Sequence, residues 1–209
     1  MALSLPKFYP ILDASVLPTF ERGSALRRIV SDLQNAGVTL LQYRNKLGSP
    51  EDILADALEL RKIAQPGLTL IMNDHPHLAV QAEFDGVHVG QDDVSPEEAR
   101  RIVGPDLIVG ASTHTLAQVE AADGSTADYI AIGPVFDTTS KLSPDPVIGL
   151  EGVRKARELT RKPLVAIGGI RMETARAVLD AGADSVAVIS AIFGPDRDTA
   201  KAVREFLAL

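Results

Sequence analysis

The sequence predicts an α/β protein built as a single (β/α)8 TIM barrel, with residues 1–209 forming one domain. Three observations predict it. Eight short apolar runs of strand length alternate with eight stretches of helical spacing over the whole chain. The connection between the third and fourth runs leaves room for a crossover helix and little else, which makes their strands parallel. The competing doubly wound sheet would be unusually wide with eight units, and no Gly-x-Gly-x-x-Gly follows the first strand.

Residues 8–12 read as a first buried strand. Leu26, Ile29, Val30 and Leu33 give 24–36 a helical spacing, and Gly37 stands where such helices end. The run 38–43 is the second strand and leads into Gln42, Tyr43, Arg44, Asn45 and Lys46. Ser49 and Pro50 open a helix to about residue 64, with Asp52 three places after the serine to satisfy exposed amides. Pro66 and Gly67 then turn the chain.

Residues 68–93 form the central unit: strands over 68–72 and 86–89, with a helix over 77–83 between them. Asp74 follows the first strand, and Asp92 and Asp93 follow the second. Neighbouring parallel strands lie roughly 5 Å apart and end on the same side, so acids nineteen positions apart in sequence converge at one sheet edge. Hard oxygen ligands with Asn73 alongside suit Mg²⁺, which takes one or two carboxylates and fills its shell with water and substrate phosphates. A helix cap and a solvated turn, or a general acid and base, are the alternatives at this point.

The pattern then repeats. Ser95 and Glu98 have capping-box spacing before a helix to Val103, which Gly104 and Pro105 break. Residues 107–112 are strand five, 116–121 a short helix, and 129–132 strand six. The long loop 133–148 is expected to carry function, since long unstructured segments in compact domains usually do. Helix 149–160, strand 164–167, helix 172–181 with Gly182 behind it, strand 185–189 and helix 198–207 complete the barrel.

With 209 residues, of which 45% are hydrophobic, the chain can bury one full core. No apolar run reaches membrane-spanning length, and no leader or lipidation motif is apparent, so a cytoplasmic protein without membrane partners is expected. The absence of cysteine excludes disulfides, thiolate metal sites and cysteine nucleophiles. A net charge of −7 argues against nucleic acid as a partner, so an anionic substrate must be attracted by local cations or a bound metal.

In a barrel all eight C-terminal strand ends form one mouth. Collected there are Gln42, Arg44 and Lys46, Asn73 and Asp74, Asp93, Ser112 and His114, Thr138 to Lys141, Gly168 and Gly169, Ile189 and Ser190. Cations, hydroxyls, glycines with approachable amides and two acids describe a phosphate or diphosphate site. The segments after strands seven and eight match the place where many such barrels hold a single phosphate. Arg44, Lys46, Lys141 and the acids with Mg²⁺ suit a diphosphate, so two phosphate-bearing small molecules are inferred. His114 is the one general-base candidate whose unperturbed pKa is near neutrality, with a backbone hydrogen bond or helix cap as its plainer role.

On the motifs Leu-Gln-Tyr-Arg-Asn-Lys (41–46), Asn-Asp-His-Pro-His-Leu-Ala (73–79), Asp-Gly-Val-His-Val-Gly-Gln-Asp-Asp (85–93), Ala-Ser-Thr-His-Thr (111–115), 128–141, Ala-Ile-Gly-Gly-Ile (166–170) and 181–192, the chain resembles the thiamine phosphate synthase family over nearly its whole length. The resemblance implies a transferase of thiamine biosynthesis that joins an aminopyrimidine methyl diphosphate to a thiazole phosphate, or its carboxylated form, and releases diphosphate. It implies that Gln42, Arg44, Lys46 and Asn73 bind the pyrimidine diphosphate, and that Asp74 and Asp93 hold Mg²⁺ as cofactor. Ser112 and Lys141 would contact the diphosphate and reacting centre, with Lys141, Ser112 and Arg44 as the catalytic set. Thr138, Ser140, Gly169, Ile189 and Ser190 would hold the thiazole phosphate. The chain departs from the family pattern at Tyr43, where Leu is frequent, at Asn45, where an acid is common, and at Ser140, where Thr is usual.

The alternatives are a thiazole tautomerase of the same superfamily, a Schiff-base aldolase using Lys46 or Lys141, and a silent ligand sensor. A tautomerase would use His114 and has no need of Asp93, Lys46 or the Thr138–Lys141 loop, which favours the synthase. A homo-oligomer is compatible with the sequence.

Overall fold

Parallel strands cannot be joined by tight turns, so each strand of this chain is followed by a returning helix. The computed structural model describes residues 3–18, 20–138, 146–193 and 198–209. Its strands are β1 (Phe8–Asp13), β2 (Leu40–Arg44), β3 (Thr69–Asn73), β4 (Gly86–Val89), β5 (Ile108–Thr113), β6 (Tyr129–Ile132), β7 (Leu164–Ile167) and β8 (Ser185–Val188). Each pairs in parallel with the next, and β8 pairs with β1, so the sheet closes in sequence order. The helices are α1 (Arg22–Ala36), α2 (Pro50–Ile63), α3 (Pro76–Gln81), α4 (Pro96–Val103), α5 (Leu116–Asp123), α6 (Gly149–Leu159), α7 (Met172–Asp180) and α8 (Thr199–Leu207). The (β/α)8 expectation holds, with element ends shifted by one or two residues, as fraying termini allow. One 3₁₀ turn, Ala14–Val16, follows β1 and was not expected.

Alternation along the strands divides the core in two. Phe8, Leu12, Leu41, Leu70, Met72, Val87 and Val89 face outward and pack against the helices. Tyr9, Ile11, Leu40, Ile71, Tyr129, Val165 and Ala187 fill the barrel interior. Capping fixes several helix starts: Ser49 Oγ accepts the Asp52 amide at 3.2 Å while Asp52 accepts the Ser49 amide at 3.3 Å. At Ser95 only the forward half forms, from the Glu98 amide to Ser95 Oγ at 3.2 Å. Glu98 does not complete the expected box and lies 4.0 Å from Arg101 instead.

A repeated clamp closes the face opposite the mouth. Asp85, Asp128 and Asp184 stand just before β4, β6 and β8. Each accepts the first or second amide of the preceding strand, from Leu70, Val109 and Leu164, at 2.7–2.8 Å. Each also pairs with an arginine one helix back: Arg61 at 3.2 Å, Arg100 at 2.5 Å and Arg157 at 2.8 Å. Each carboxylate thus ties two strands and a helix together at the N-terminal rim. Asp128→Ala removes one charge-assisted bond to a strand amide and is expected to lower stability by about 1–3 kcal/mol. Urea unfolding checks this, and an unchanged midpoint would show that the clamp carries no net stability.

Candidate active site

The first half of the mouth is built by β2, β3 and β4. Arg44 ends β2 and is ion-paired with Asp13, which ends the neighbouring β1. Asp13 is 8% exposed, and burial alone would raise its pKa. Hydrogen bonds from Ser15 and the charge of Arg44 outweigh that and hold it below its usual range.

Lys46 lies beyond β2 in a loop shaped by Asn45, whose Oδ1 accepts the amides of Leu47 at 3.2 Å and Gly48 at 2.8 Å. Asn45 Nδ2 donates to the Tyr43 hydroxyl at 3.2 Å, and Tyr43 donates to buried Asp56, which Arg22 also grips. The two departures Tyr43 and Asn45 are therefore bonded to one another.

Asp74 follows β3 with φ 66°, a left-handed conformation that is uncommon for any residue but glycine. Its amide donates to the His88 carbonyl of β4 at 2.8 Å, which holds it beside that strand. Asp93 turns back so that its Oδ2 accepts the Gly90 amide at 2.8 Å. A Cβ at position 90 would lie 2.9 Å from that oxygen.

The Asp74 and Asp93 carboxyls share a hydrogen bond, and Lys46 is ion-paired with Asp74. Burial and the Asp93 charge push Asp74 up to about 6, against the opposing pull of Lys46. The proton so retained lets Asp93 stay ionised below its usual range, despite its own burial. Lys46, Asp74 and Asp93 border a cavity of about 750 Å³, together with His75 and Ser95. The Nδ2 amide of Asn73, at the end of β3, is buried with no hydrogen-bond partner among the described residues.

The other half of the mouth lies across the barrel on β7 and β8. Gly168 and Gly169 have φ 99° and 63°, and a Cβ on Gly169 would stand 2.4 Å from the Asp137 carbonyl. That contact sets the segment after β7 against the segment after β6, which contains Thr138. Ile189 and Ser190 follow β8, where the Ile189 carbonyl accepts the amides of Ile192 at 3.2 Å and Phe193 at 3.0 Å. Ser140 and Lys141 lie outside the described residues, as does most of the second half of the 133–148 loop.

Gln42 and Ser112 lie deeper. Gln42 is 3% exposed and donates to the Tyr9 hydroxyl at 3.0 Å, while Ser112 Oγ is 2.8 Å from His88 Nε2. His114 Nδ1 is 2.6 Å from the Gly133 carbonyl, which is the plainer of its two expected roles. Sequence reasoning passed over Asp13, Tyr9, His88 and Tyr129. For His88 a signal existed: it alternates with Val87 and Val89 in β4, which turns it inward when they face the helices.

A family model described as thiamine monophosphate synthase matches residues 8–192. The chain belongs to the thiamine monophosphate synthase family. It is 52% identical to a thiamine-phosphate synthase of Koribacter versatilis over 99% of this chain and 97% of that one. It is 40% identical to one from Chloroflexus aurantiacus, over 97% and 92% of the two chains. A solved thiamine phosphate pyrophosphorylase from Pyrococcus furiosus superposes with a TM-score of 0.82 at 35% identity, over 96% and 93%. As a member of this family the chain is a transferase of thiamine biosynthesis. Among the described residues no helix is long and apolar enough to cross a membrane.

The acid pair has a measurable signature in the metal-free protein. The folded state holds the Asp74 proton more tightly than the unfolded chain, whose carboxyl titrates near 3.8. Asp74 therefore lowers stability as pH rises from about 4 to about 6. Asp74→Asn is expected to flatten that segment of the stability–pH curve, and Asp93→Asn to move the Asp74 titration downward in carboxyl-detected NMR. An unmoved titration would show that the two carboxyls do not interact.

Proposed function

We propose that this chain, acting as one catalytic domain over residues 1–209, forms thiamine phosphate from two substrates. These are 4-amino-2-methyl-5-(diphosphooxymethyl)pyrimidine and 4-methyl-5-(2-phosphoethyl)thiazole, the latter with or without a carboxylate. The observation that carries this reading is the division of one mouth into two unlike halves. An acid pair with cations stands past the ends of β2–β4, and Gly168 and Gly169 after β7, with Ile189 and Ser190 after β8, stand opposite.

The residues fit a divalent metal. Two neighbouring carboxyls, one of them half-buried, backbone-strained and held above its usual range by burial and by the other's charge, call for a cation between them. Lys46 supplies part of that charge in the ligand-free state. Asp74 and Asp93 would hold Mg²⁺, which when bound neutralises charge on the departing diphosphate.

Arg44, Lys46 and Lys141 would stabilise the same leaving group, with Asp13 holding Arg44 in place. The bond between the pyrimidine methylene carbon and the diphosphate oxygen breaks, and its electron pair leaves with diphosphate. The electron-rich aminopyrimidine stabilises the cation that remains. The thiazole nitrogen lone pair then forms the new carbon–nitrogen bond, so no protein nucleophile or strong base is needed. Gln42, Asn73 and Ser112 would position the pyrimidine. Thr138, Ser140, Gly169, Ile189 and Ser190 would hold the thiazole phosphate so that its nitrogen faces the cation.

The test is formation of thiamine phosphate from the two phosphorylated halves, with Mg²⁺ and with a chelator. Product that depends on the metal is expected. Isomerisation of the thiazole without metal, and no product, would establish the tautomerase instead. Lys141→Ala is expected to lower kcat by about ten- to a thousandfold, the cost of removing one charge-stabilising donor. Unchanged turnover would remove Lys141 from the mechanism.

A further inference from the structure

A line of buried polar groups crosses the barrel interior below the mouth, and the chemistry above leaves most of it unused. Gln42 Nε2 lies 3.0 Å from the Tyr9 hydroxyl, which lies 2.9 Å from the Tyr129 hydroxyl. That hydroxyl is 2.9 Å from His88 Nδ1, and His88 Nε2 is 2.8 Å from Ser112 Oγ. Five residues from β1, β2, β4, β5 and β6 thus form one chain, and Tyr9 and Tyr129 are 1% and 0% exposed. Gly110 makes the room for it. A Cβ there would stand 2.4 Å from the Tyr129 hydroxyl and 2.5 Å from His88 Nδ1.

The direction of these bonds follows from counting protons. The Gln42 amide nitrogen can only donate, so Tyr9 accepts from it. The other partner of the Tyr9 hydroxyl among the described residues is Tyr129, and a buried hydroxyl proton without an acceptor costs about 1–3 kcal/mol. Tyr9 therefore donates to Tyr129, and Tyr129 by the same reasoning donates to His88 Nδ1. With Nδ1 accepting, the neutral ring carries its proton on Nε2 and gives it to Ser112 Oγ. Burial keeps every member neutral: it pushes Tyr9 up to about 12, Tyr129 well above its ordinary range, and His88 down to about 4.

We propose that His88 is a positioning residue which, held by Gln42, Tyr9 and Tyr129, donates from Nε2 to Ser112. The Ser112 hydroxyl proton is thereby left to point into the mouth at an acceptor atom of the pyrimidine diphosphate. Ser112 makes no other side-chain hydrogen bond among the described residues. Its hydroxyl proton is thus available to the ligand, while His88 occupies one of its two lone pairs. The acceptor is a ring nitrogen or a phosphate oxygen, and its identity rests on the function proposed above.

The direction of the chain is tested first and without substrate. Long-range proton–nitrogen NMR of the ligand-free protein, with His88 assigned by comparison with His88→Gln, is expected to show Nε2 protonated and Nδ1 bare. Tyr129→Phe is expected to release that preference into a mixture of tautomers. An Nδ1–H tautomer or an imidazolium at pH 7 in the unsubstituted protein would overturn the proposal.

Kinetics tests the consequence. His88→Gln keeps a donor near the Nε2 position and is expected to retain turnover within about twofold, whereas His88→Asn is expected to lose about two- to tenfold in kcat, the worth of one neutral hydrogen bond. Equal losses would overturn the donor role. Inhibition by inorganic diphosphate and by the unphosphorylated hydroxymethylpyrimidine locates the acceptor. Weakening of the first alone by His88→Asn puts it on phosphate, weakening of the second alone puts it on the ring, and weakening of neither overturns the proposal. If the unsubstituted protein makes no thiamine phosphate while His88 shows the expected tautomer, it is the functional reading that fails. Calorimetric binding of the same two probes then decides whether Ser112 donates to a ligand.

Discussion

Closure of the parallel sheet is the constraint from which the rest follows. Eight strands that run in one direction and pair in sequence order must all end on the same rim. Asp13, Asp74, Asp93 and the glycines after β7 are far apart in the chain, yet each lies at or just past a strand end. The opposite rim receives a different treatment. There the aspartates before β4, β6 and β8 spend their charge on strand amides and arginines. One rim is stapled by repeated local geometry, and the other is left to irregular segments whose side chains differ from strand to strand.

Charge at the mouth is balanced internally. Arg44 is matched by Asp13 and Lys46 by Asp74, while Asp74 and Asp93 share what remains. In a protein of net charge −7 these pairs keep cations available at the rim without a basic surface. They also keep buried charges from standing alone, which would cost several kcal/mol each. An anionic ligand entering with a metal would exchange partners within this set: the metal would relieve the repulsion between the acids, and Lys46 would turn from a carboxylate to a phosphate.

The barrel interior is also less apolar than its fold requires. Two tyrosines, a histidine and a glutamine cross it, and their cost is met because each polar atom in the line has a partner. Such a line stiffens the floor of the mouth. Side chains that begin there, Gln42 and Ser112, are held from below and are not left to the mobility of a loop. Gly110 shows how closely the space is matched, since a single methyl would displace both the Tyr129 hydroxyl and the His88 ring.

Whatever depends on neighbours in sequence was legible before the fold was known. The alternation of strand and helix, the Ser49–Asp52 cap and the placing of Asp74 and Asp93 past strand ends all rest on spacings of a few residues and on the two backbone periods. Closure then followed from the count of units. The partners of the mouth residues were not legible: Arg44 and Asp13 are 31 positions apart, His88 and Tyr129 41, and Tyr9 and Tyr129 120. Even Ser95, read locally as a full cap, formed only half of one because Glu98 stays on the surface near Arg101. The sequence by itself determined which residues reach the mouth, because strand direction and length are local properties. Only the tertiary structure decided which of them neutralise, orient or crowd one another, because those choices depend on distances across a closed barrel that no stretch of sequence contains.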